Sequence, residues 1–283
     1  MTEKKKRVRK KLTKKQVAII VTVIVTILLT FVWGTLAYIN VNRVESVGIE
    51  YGKGTRYIAH RGWSNKYFQN TTEAFLAAAN EDFFQGIETD VWRTKDGVFV
   101  CAHDATPFRD KGVSINEKTY AEIKDLPLDL SDDCGADVTL PYRIATLEEY
   151  LSIVSGTNKY AFVEIKQKFS EAEARELVDL CYRINGRNRT YFCSFHKKII
   201  DYISSYEPFA RTELFASWFL PAFVYTEAGY NVGLHTHLFA TDAFVKATKR
   251  KDSFSCVWTV NDKATADRLA SYGIDWITTD GVL

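Results

Sequence analysis

Cysteine is scarce in this chain of 283 residues, and the five present, Cys101, Cys134, Cys181, Cys193 and Cys256, form no C-x-x-C pair and no zinc-ligand spacing. An odd number cannot all pair within one chain. Their setting in apolar runs such as VFVCAH and SFSCVW favours small buried hydrophobes, with a disulfide as the alternative that an exterior location would permit. No strand-like segment is followed by G-x-G-x-x-G or by a P-loop, which removes the nucleotide-binding folds. There is no internal repeat of roughly 20 to 50 residues, and no low-complexity tract beyond the N-terminal tail, so solenoids and propellers are excluded as well. With 46% apolar and 25% charged residues, the composition is neither that of a disordered nor of a fibrous protein.

Net positive charge is also missing outside one place. Residues Met1 to Gln16 carry nine Lys or Arg against one Glu, a local charge of +8; the whole chain is only +2, so the rest is −6. No extended basic surface for nucleic acid is present. The next segment, Val17 to Ile39, has no charged residue in 23 positions. As a helix it would reach about 35 Å, enough for a hydrocarbon core about 30 Å thick. A cleaved signal peptide is the alternative, but the apolar run exceeds the usual ~7–15 residues and lacks a small-x-small cleavage site. Trp33 and Tyr38 suit the far interface. Lys and Arg are retained on the cytoplasmic side, so the expected layout is a cytoplasmic tail (1–16), a transmembrane helix (17–39), a linker (40–55) and an extracellular domain (56–283).

In that domain strand-like and helix-like segments alternate. RYIAH, GIETDVWRT, GVFVCAH, KYAFVEIK, TYFCSF, RTELFAS, YNVGLHTH, SFSCVWTVN and IDWITTD have strand character; helical spacing falls between most of them. Such alternation over about 228 residues predicts parallel strands joined by helices, and of the α/β architectures a closed (β/α)8 TIM barrel is favoured over an open sheet.

Strand side chains alternate faces, so Glu88 and Asp90 share one face in GIETDV, and Glu164 and Lys166 share one in KYAFVEIK. Four ionisable groups then point inward, which demands partners, a metal or water. Three carboxylates suit a hard divalent cation, Mg2+ or Ca2+, better than zinc. A salt-bridge cluster neutralised by Lys166 is the structural alternative. A hairpin centred on Asp96 and Gly97 would set His103 opposite Asp90, and His60 ends the first strand. A cation, two cations on side chains (Arg61 and Lys166) and two imidazoles make the set that metal-assisted phosphodiester cleavage uses in full.

These residues resemble the glycerophosphodiester phosphodiesterase family. The matches run in order: His60-Arg61-Gly62, Asn70-Thr71 with Ala74-Phe75, Glu88 with Asp90-Val91, Thr94 with Asp96-Gly97, His103-Asp104, Glu164-Ile165-Lys166, Trp258-Thr259-Val260-Asn261 and Thr279-Asp280. The resemblance implies a TIM barrel with a divalent cation on Glu88, Asp90 and Glu164. It further implies acid-base roles for His60 and His103, phosphate contacts from Arg61 and Lys166, and Trp258 lining the pocket. The implied reaction releases sn-glycerol 3-phosphate and an alcohol from a small-molecule or lipid-derived phosphodiester. Lysophospholipase D-type action on membrane lipids and a non-catalytic binding module are the alternatives. One departure is Gln69, where the family usually has glutamate; it keeps the reach but loses the charge, so a contact to Arg61 would weaken. His235 and His237 share a strand face but match no family motif. Asn70 and Asn188 sit in glycosylation sequons, of which Asn70 already has a motif place. The polar segment Thr106 to Ala145 is a candidate cover over the site.

Overall fold

A computed structural model of the chain describes residues 12–41, 54–131, 139–234, 241–250 and 254–283. The expectations for the tail before residue 12, for most of the linker, for Cys134 and for His235 and His237 lie outside the described residues. The chain divides into two compact units, Met1–Arg43 and Val44–Leu283.

Among the described residues of the first unit there is one helix, α1 (Lys14–Val41), started by a reciprocal cap in which the Thr13 N–H donates to Gln16 Oε1 at 2.9 Å and the Gln16 N–H to Thr13 Oγ1 at 3.2 Å. Its few polar side chains look after themselves: the hydroxyls of Thr26, Thr30 and Thr35 donate back to the carbonyls of Thr22, Thr26 and Phe31. That removes the cost of bare hydroxyls in hydrocarbon. The helix is long and apolar enough to cross a membrane.

The second unit contains β1 (Arg56–Ala59), β2 (Gly86–Arg93), β3 (Phe99–Cys101), β4 (Ala145–Thr146), β5 (Tyr160–Ile165), β6 (Thr190–Ser194), β7 (Arg211–Ala216), β8 (Val232–Leu234), β9 (Ser255–Val257) and β10 (Trp276–Thr279). Eight of them, β1, β2 and β5 to β10, pair in parallel, and β1 pairs with both β2 and β10, which closes the barrel. Around it stand α2 (Thr72–Ala79), α4 (Leu147–Ser155), α5 (Glu171–Asn185), α6 (Lys197–Tyr206), α7 (Phe219–Glu227), α8 (Asp242–Arg250) and α9 (Lys263–Ser271); the short α3 (Tyr120–Ile123) precedes α4. Caps start the helices where strands end: Thr146 with Glu149 for α4, and Ser170 with Glu173 for α5.

Period-two alternation sorts the wall into two faces. Ile87, Val91, Ala161, Val163 and Ile165 point outward and pack on Phe75, Leu147, Leu151 and Leu177 from the helices. The inner face is layered. At its base Phe162, Tyr191, Phe254 and Trp276 form an aromatic plug, with Phe162 stacked on Tyr191 at 4.4 Å. Gly86 makes this plug possible, because a Cβ there would come within 2.7 Å of the Phe162 ring. Above the plug, the register Asp90↔Glu164↔Cys193↔Glu213 carries polar groups around half the barrel.

Two expectations are corrected. The β2–β3 hairpin pairs Val91 with Cys101 and Arg93 with Phe99, and the Ala102 N–H donates to the Asp90 carbonyl at 3.0 Å, so Asp90 faces Ala102 and not His103. The cause is a three-residue loop, Lys95 to Gly97, closed by Thr94 N–H to the Val98 carbonyl at 2.9 Å with Gly97 at φ 92°. His103 falls one residue past that pairing. The segment from Thr106 is also more than a polar cover: Phe108, Ile115, Ile123, Leu128, Tyr142 and Ile144 build a small core against Phe68, Val100 and Ala102.

Candidate active site

The C-terminal ends of β1, β2, β5 and β10 bring the charged residues together. Glu88, Asp90 and Glu164 are buried, and one ligand oxygen from each lies within 4.8 Å of the others. Arg61 follows β1 in the left-handed region at φ 57°, so its backbone N–H donates to Glu88 Oε2 at 2.8 Å while its Nε meets Asp90 Oδ2 at 3.1 Å. Such a φ costs a non-glycine residue on the order of 1 kcal/mol or more, which these two contacts offset. Gly62, at φ 79°, lets α2 approach: a Cβ there would sit 2.7 Å from the Ala74 carbonyl carbon. Lys166, just past β5, reaches Glu164 Oε1 at 3.0 Å and Asp90 Oδ1 at 3.3 Å.

Asn70 holds the arrangement still. Its Nδ2 donates to Asp90 Oδ2 at 2.8 Å, and its Oδ1 accepts from Thr89 Oγ1 and the Asp90 N–H at 2.8 and 3.1 Å. Gln69 accepts from Arg61 Nη1, so the contact expected to weaken without a charge is present as a neutral hydrogen bond. Asn70 is also buried, which bars it as a glycosylation acceptor; Asn188 is exposed.

His60 follows β1 and its Nδ1 lies 2.6 Å from Asp280 Oδ1, at the end of β10. Asp280 also accepts from Ser64 Oγ at 3.2 Å and from Asn261 Nδ2. Burial resists its ionisation, but the hydrogen bond and charge of His60, joined by the hydrogen bonds from Asn261 and Ser64, together outweigh this and bring its pKa down to about 2. An ionised Asp280 fixes the proton of neutral His60 on Nδ1 and leaves Nε2 to face a substrate. Burial, reinforced by the Arg61 charge, lowers the pKa of His60, and the same two causes lower that of His103. Both shifts favour the neutral imidazole. His103 is more exposed, with Nδ1 at 3.3 Å from Asp104. Trp258 occupies another part of the mouth, after β9, where its ring packs on Phe195 and Phe215 at 5.5 and 5.0 Å. Beside His60 lies a cavity of about 370 Å3 lined by Arg61, Ser64, Asn65, Gln69, Asn261 and Asp280, among others.

Without a cation between them, charge on all three acids at once is disfavoured at such separations. Burial, together with the Asp90 charge, pushes Glu88 well above the ordinary carboxylate range and Glu164 to about 8. Asp90 moves oppositely: burial disfavours its charge, but Arg61 and Lys166 hold it below that range. Among the described residues Glu88 Oε1 accepts no hydrogen bond, and Asp90 Oδ1 and Glu164 Oε1 meet only the Lys166 ammonium. An all-carboxylate set with one under-used oxygen on each member fits a hard divalent cation.

Known proteins resemble this chain. The profile of the glycerophosphoryl diester phosphodiesterase family matches residues 60–283. The chain belongs to that family. A glycerophosphodiester phosphodiesterase from Caldanaerobacter subterraneus subsp. tengcongensis is 28% identical over 241 residues, covering 80% of this chain and 94% of the relative. The crystal structure of a glycerophosphodiester phosphodiesterase from Parabacteroides distasonis superimposes with a TM-score of 0.65 at 28% identity, over 81% of this chain and 94% of that one. A phosphodiesterase from Oleispira antarctica, solved with its product sn-glycerol-3-phosphate, shares the fold with a TM-score of 0.69 at 21% identity, over 80% and 93% of the two chains. This family member is therefore a phosphoric diester hydrolase built on a TIM barrel. Sequence reasoning assigned no role to Asp280 or Asn70, although both stand in family motifs; Asp280 lies 220 positions from the histidine it holds.

Proposed function

We propose that this enzyme hydrolyses a glycerophosphodiester to sn-glycerol 3-phosphate and an alcohol, with a divalent cation, Mg2+ or Ca2+, on Glu88, Asp90 and Glu164. The observation that carries the reading is the convergence of those three buried carboxylates within 4.8 Å, with Arg61 and Lys166 against them. The bound cation would neutralise charge on the phosphoryl oxygens. Arg61 and Lys166 supply the remaining positive charge to the phosphate, and a low-dielectric setting strengthens it. His60 and His103, neutral before substrate binds, share the proton transfers: one accepts from the attacking hydroxyl, and the other, protonated beside the bound phosphate, donates to the leaving oxygen. Asp280 keeps His60 in the tautomer that either role requires. Trp258 lines the side of the pocket away from the acids. The product found with the Oleispira antarctica relative is the one this reading expects here.

The seven basic residues ahead of α1, with Lys14 and Lys15 in its first turn, support a single-pass topology with the tail in the cytoplasm and the barrel outside. Protease added to intact cells is expected to remove the barrel; a protected barrel refutes the topology. For the chemistry, the purified full chain is incubated with glycerophosphocholine and released glycerol 3-phosphate is followed by a coupled dehydrogenase. Turnover abolished by chelator and by H60A is expected. Binding of the diester without turnover of any diester tested would instead identify a binding module.

A further inference from the structure

In the second unit the described residues expose eight large apolar side chains; Leu76, Tyr206 and Phe209 lie apart, and the other five gather at one end of the barrel. Phe195 follows β6, Trp218 follows β7, Leu220 and Phe223 occupy the start of α7, and Val282 follows β10. All five lie toward the C-terminal ends of the strands, the face that carries the acids and histidines. Trp218 is 67% exposed, Leu220 50%, Phe223 42% and Phe195 41%. The mouth is therefore divided: β1, β2 and β5 contribute its charged side, and β6 and β7 an apolar side continuous with Trp258 through Phe195. Burying this much apolar surface is favourable, yet among the described residues these side chains remain exposed.

We propose that the apolar side of the barrel mouth is a docking face for a lipid bilayer surface, on which the enzyme meets diesters carried by lipids. Three observations favour a bilayer over another protein. The chain carries its own bilayer-length apolar helix, so lipid is the surface it is held near. The exposed residues are Trp, Phe and Leu, the types that seat at the boundary between headgroups and acyl chains. Lys198 is exposed in the first turn of α6, three residues after Phe195, where it can meet anionic headgroups, whereas Lys197 beside it is paired with Asp201 at 2.7 Å. The proposal uses the phosphodiesterase reading only for its activity readout; the depth measurement stands without turnover.

The full chain is reconstituted in vesicles of phosphatidylcholine and phosphatidylglycerol, with and without brominated acyl chains, and the emission of wild type is compared with that of W218F to isolate Trp218. Quenching of the Trp218 component by brominated lipid, and its shielding from aqueous iodide, is expected. In parallel, the triple variant W218S/L220S/F223S is expected to cut hydrolysis of vesicle-borne lysophosphatidylcholine about tenfold relative to its rate on soluble glycerophosphocholine. Quenching of Trp218 by iodide and not by brominated lipid overturns the proposal. So does protection from both quenchers, which would mean that protein covers the face. Equal loss on the two substrates, or no loss on either, overturns it as well; failure on both substrates by wild type would count against the phosphodiesterase reading alone.

Discussion

Glu213 lies in the barrel wall next to Cys193, with 1% of its surface exposed, and the mechanism does not use it. Burial raises its pKa from 4.5 to about 7, slightly offset by hydrogen bonds from Cys193 and Cys256. Its Oε1 sits over Gly233, where a Cβ would fall 2.1 Å away, and among the described residues that oxygen accepts no hydrogen bond. A carboxyl whose folded pKa is raised costs nothing below its unfolded pKa, and the cost grows until pH passes the folded value. At 1.36 kcal/mol per unit, a rise of this size amounts to about 3 kcal/mol above pH 7, and to less than about 1 kcal/mol at pH 5. Glu213→Gln removes the charge while keeping size and an acceptor for the Cys193 thiol. Its stability relative to wild type should therefore improve by about 2–3 kcal/mol between pH 5 and pH 8.5, whatever fixed cost the amide adds. Urea unfolding of the metal-free protein in detergent, followed by near-UV circular dichroism at both pH values, measures this difference directly. Contributions from Glu88 and Glu164 are common to both proteins and cancel. A relative stability that changes by less than about 0.5 kcal/mol across this range would refute the assignment of Glu213 as a buried, unpaired acid.

Other outcomes follow from the same geometry. Asp280→Asn keeps the shape but lets His60 adopt the wrong tautomer, so kcat should fall by roughly two to four orders of magnitude with KM little changed, as steady-state kinetics on glycerophosphocholine will show. A matching rise in KM would mean that Asp280 serves binding. Gln69→Glu restores a charge beside Arg61 but replaces a hydrogen bond that already exists, so kcat/KM should change by less than about tenfold, or ~1.4 kcal/mol. A larger gain would show that the neutral contact had left the site impaired.

The parts of the structure legible in the sequence are those set by local periodicity. Alternation along GIETDV and KYAFVEIK placed Glu88, Asp90 and Glu164 on the inner face because a strand has only two faces, and the apolar stripe of the outer face confirms the choice. The hairpin register was not legible. Lys-Asp-Gly is compatible with two-residue and three-residue loops, and the difference moves every pair by one position, which took Asp90 from His103 to Ala102. Roles that depend on closure of the barrel were hidden for another reason. Asp280 meets His60 only because β10 pairs with β1, and Asn70 reaches Asp90 only because the loop before α2 folds over β2. Glu213 gave no signal at all, since RTELFAS does not state how little room Gly233 leaves on the neighbouring strand.

The account rests on one cation held by three carboxylates, two of which are protonated or nearly so without it. Calorimetric titration of the chelator-stripped full chain with Ca2+ or Mg2+ at pH 7, repeated in buffers of different ionisation enthalpy, tests this directly. The expected result is one ion per chain, with one to two protons released as Glu88 and Glu164 ionise, and no binding by Asp90→Asn. Binding that releases no protons, or that survives intact in the Asp90 variant, would contradict it.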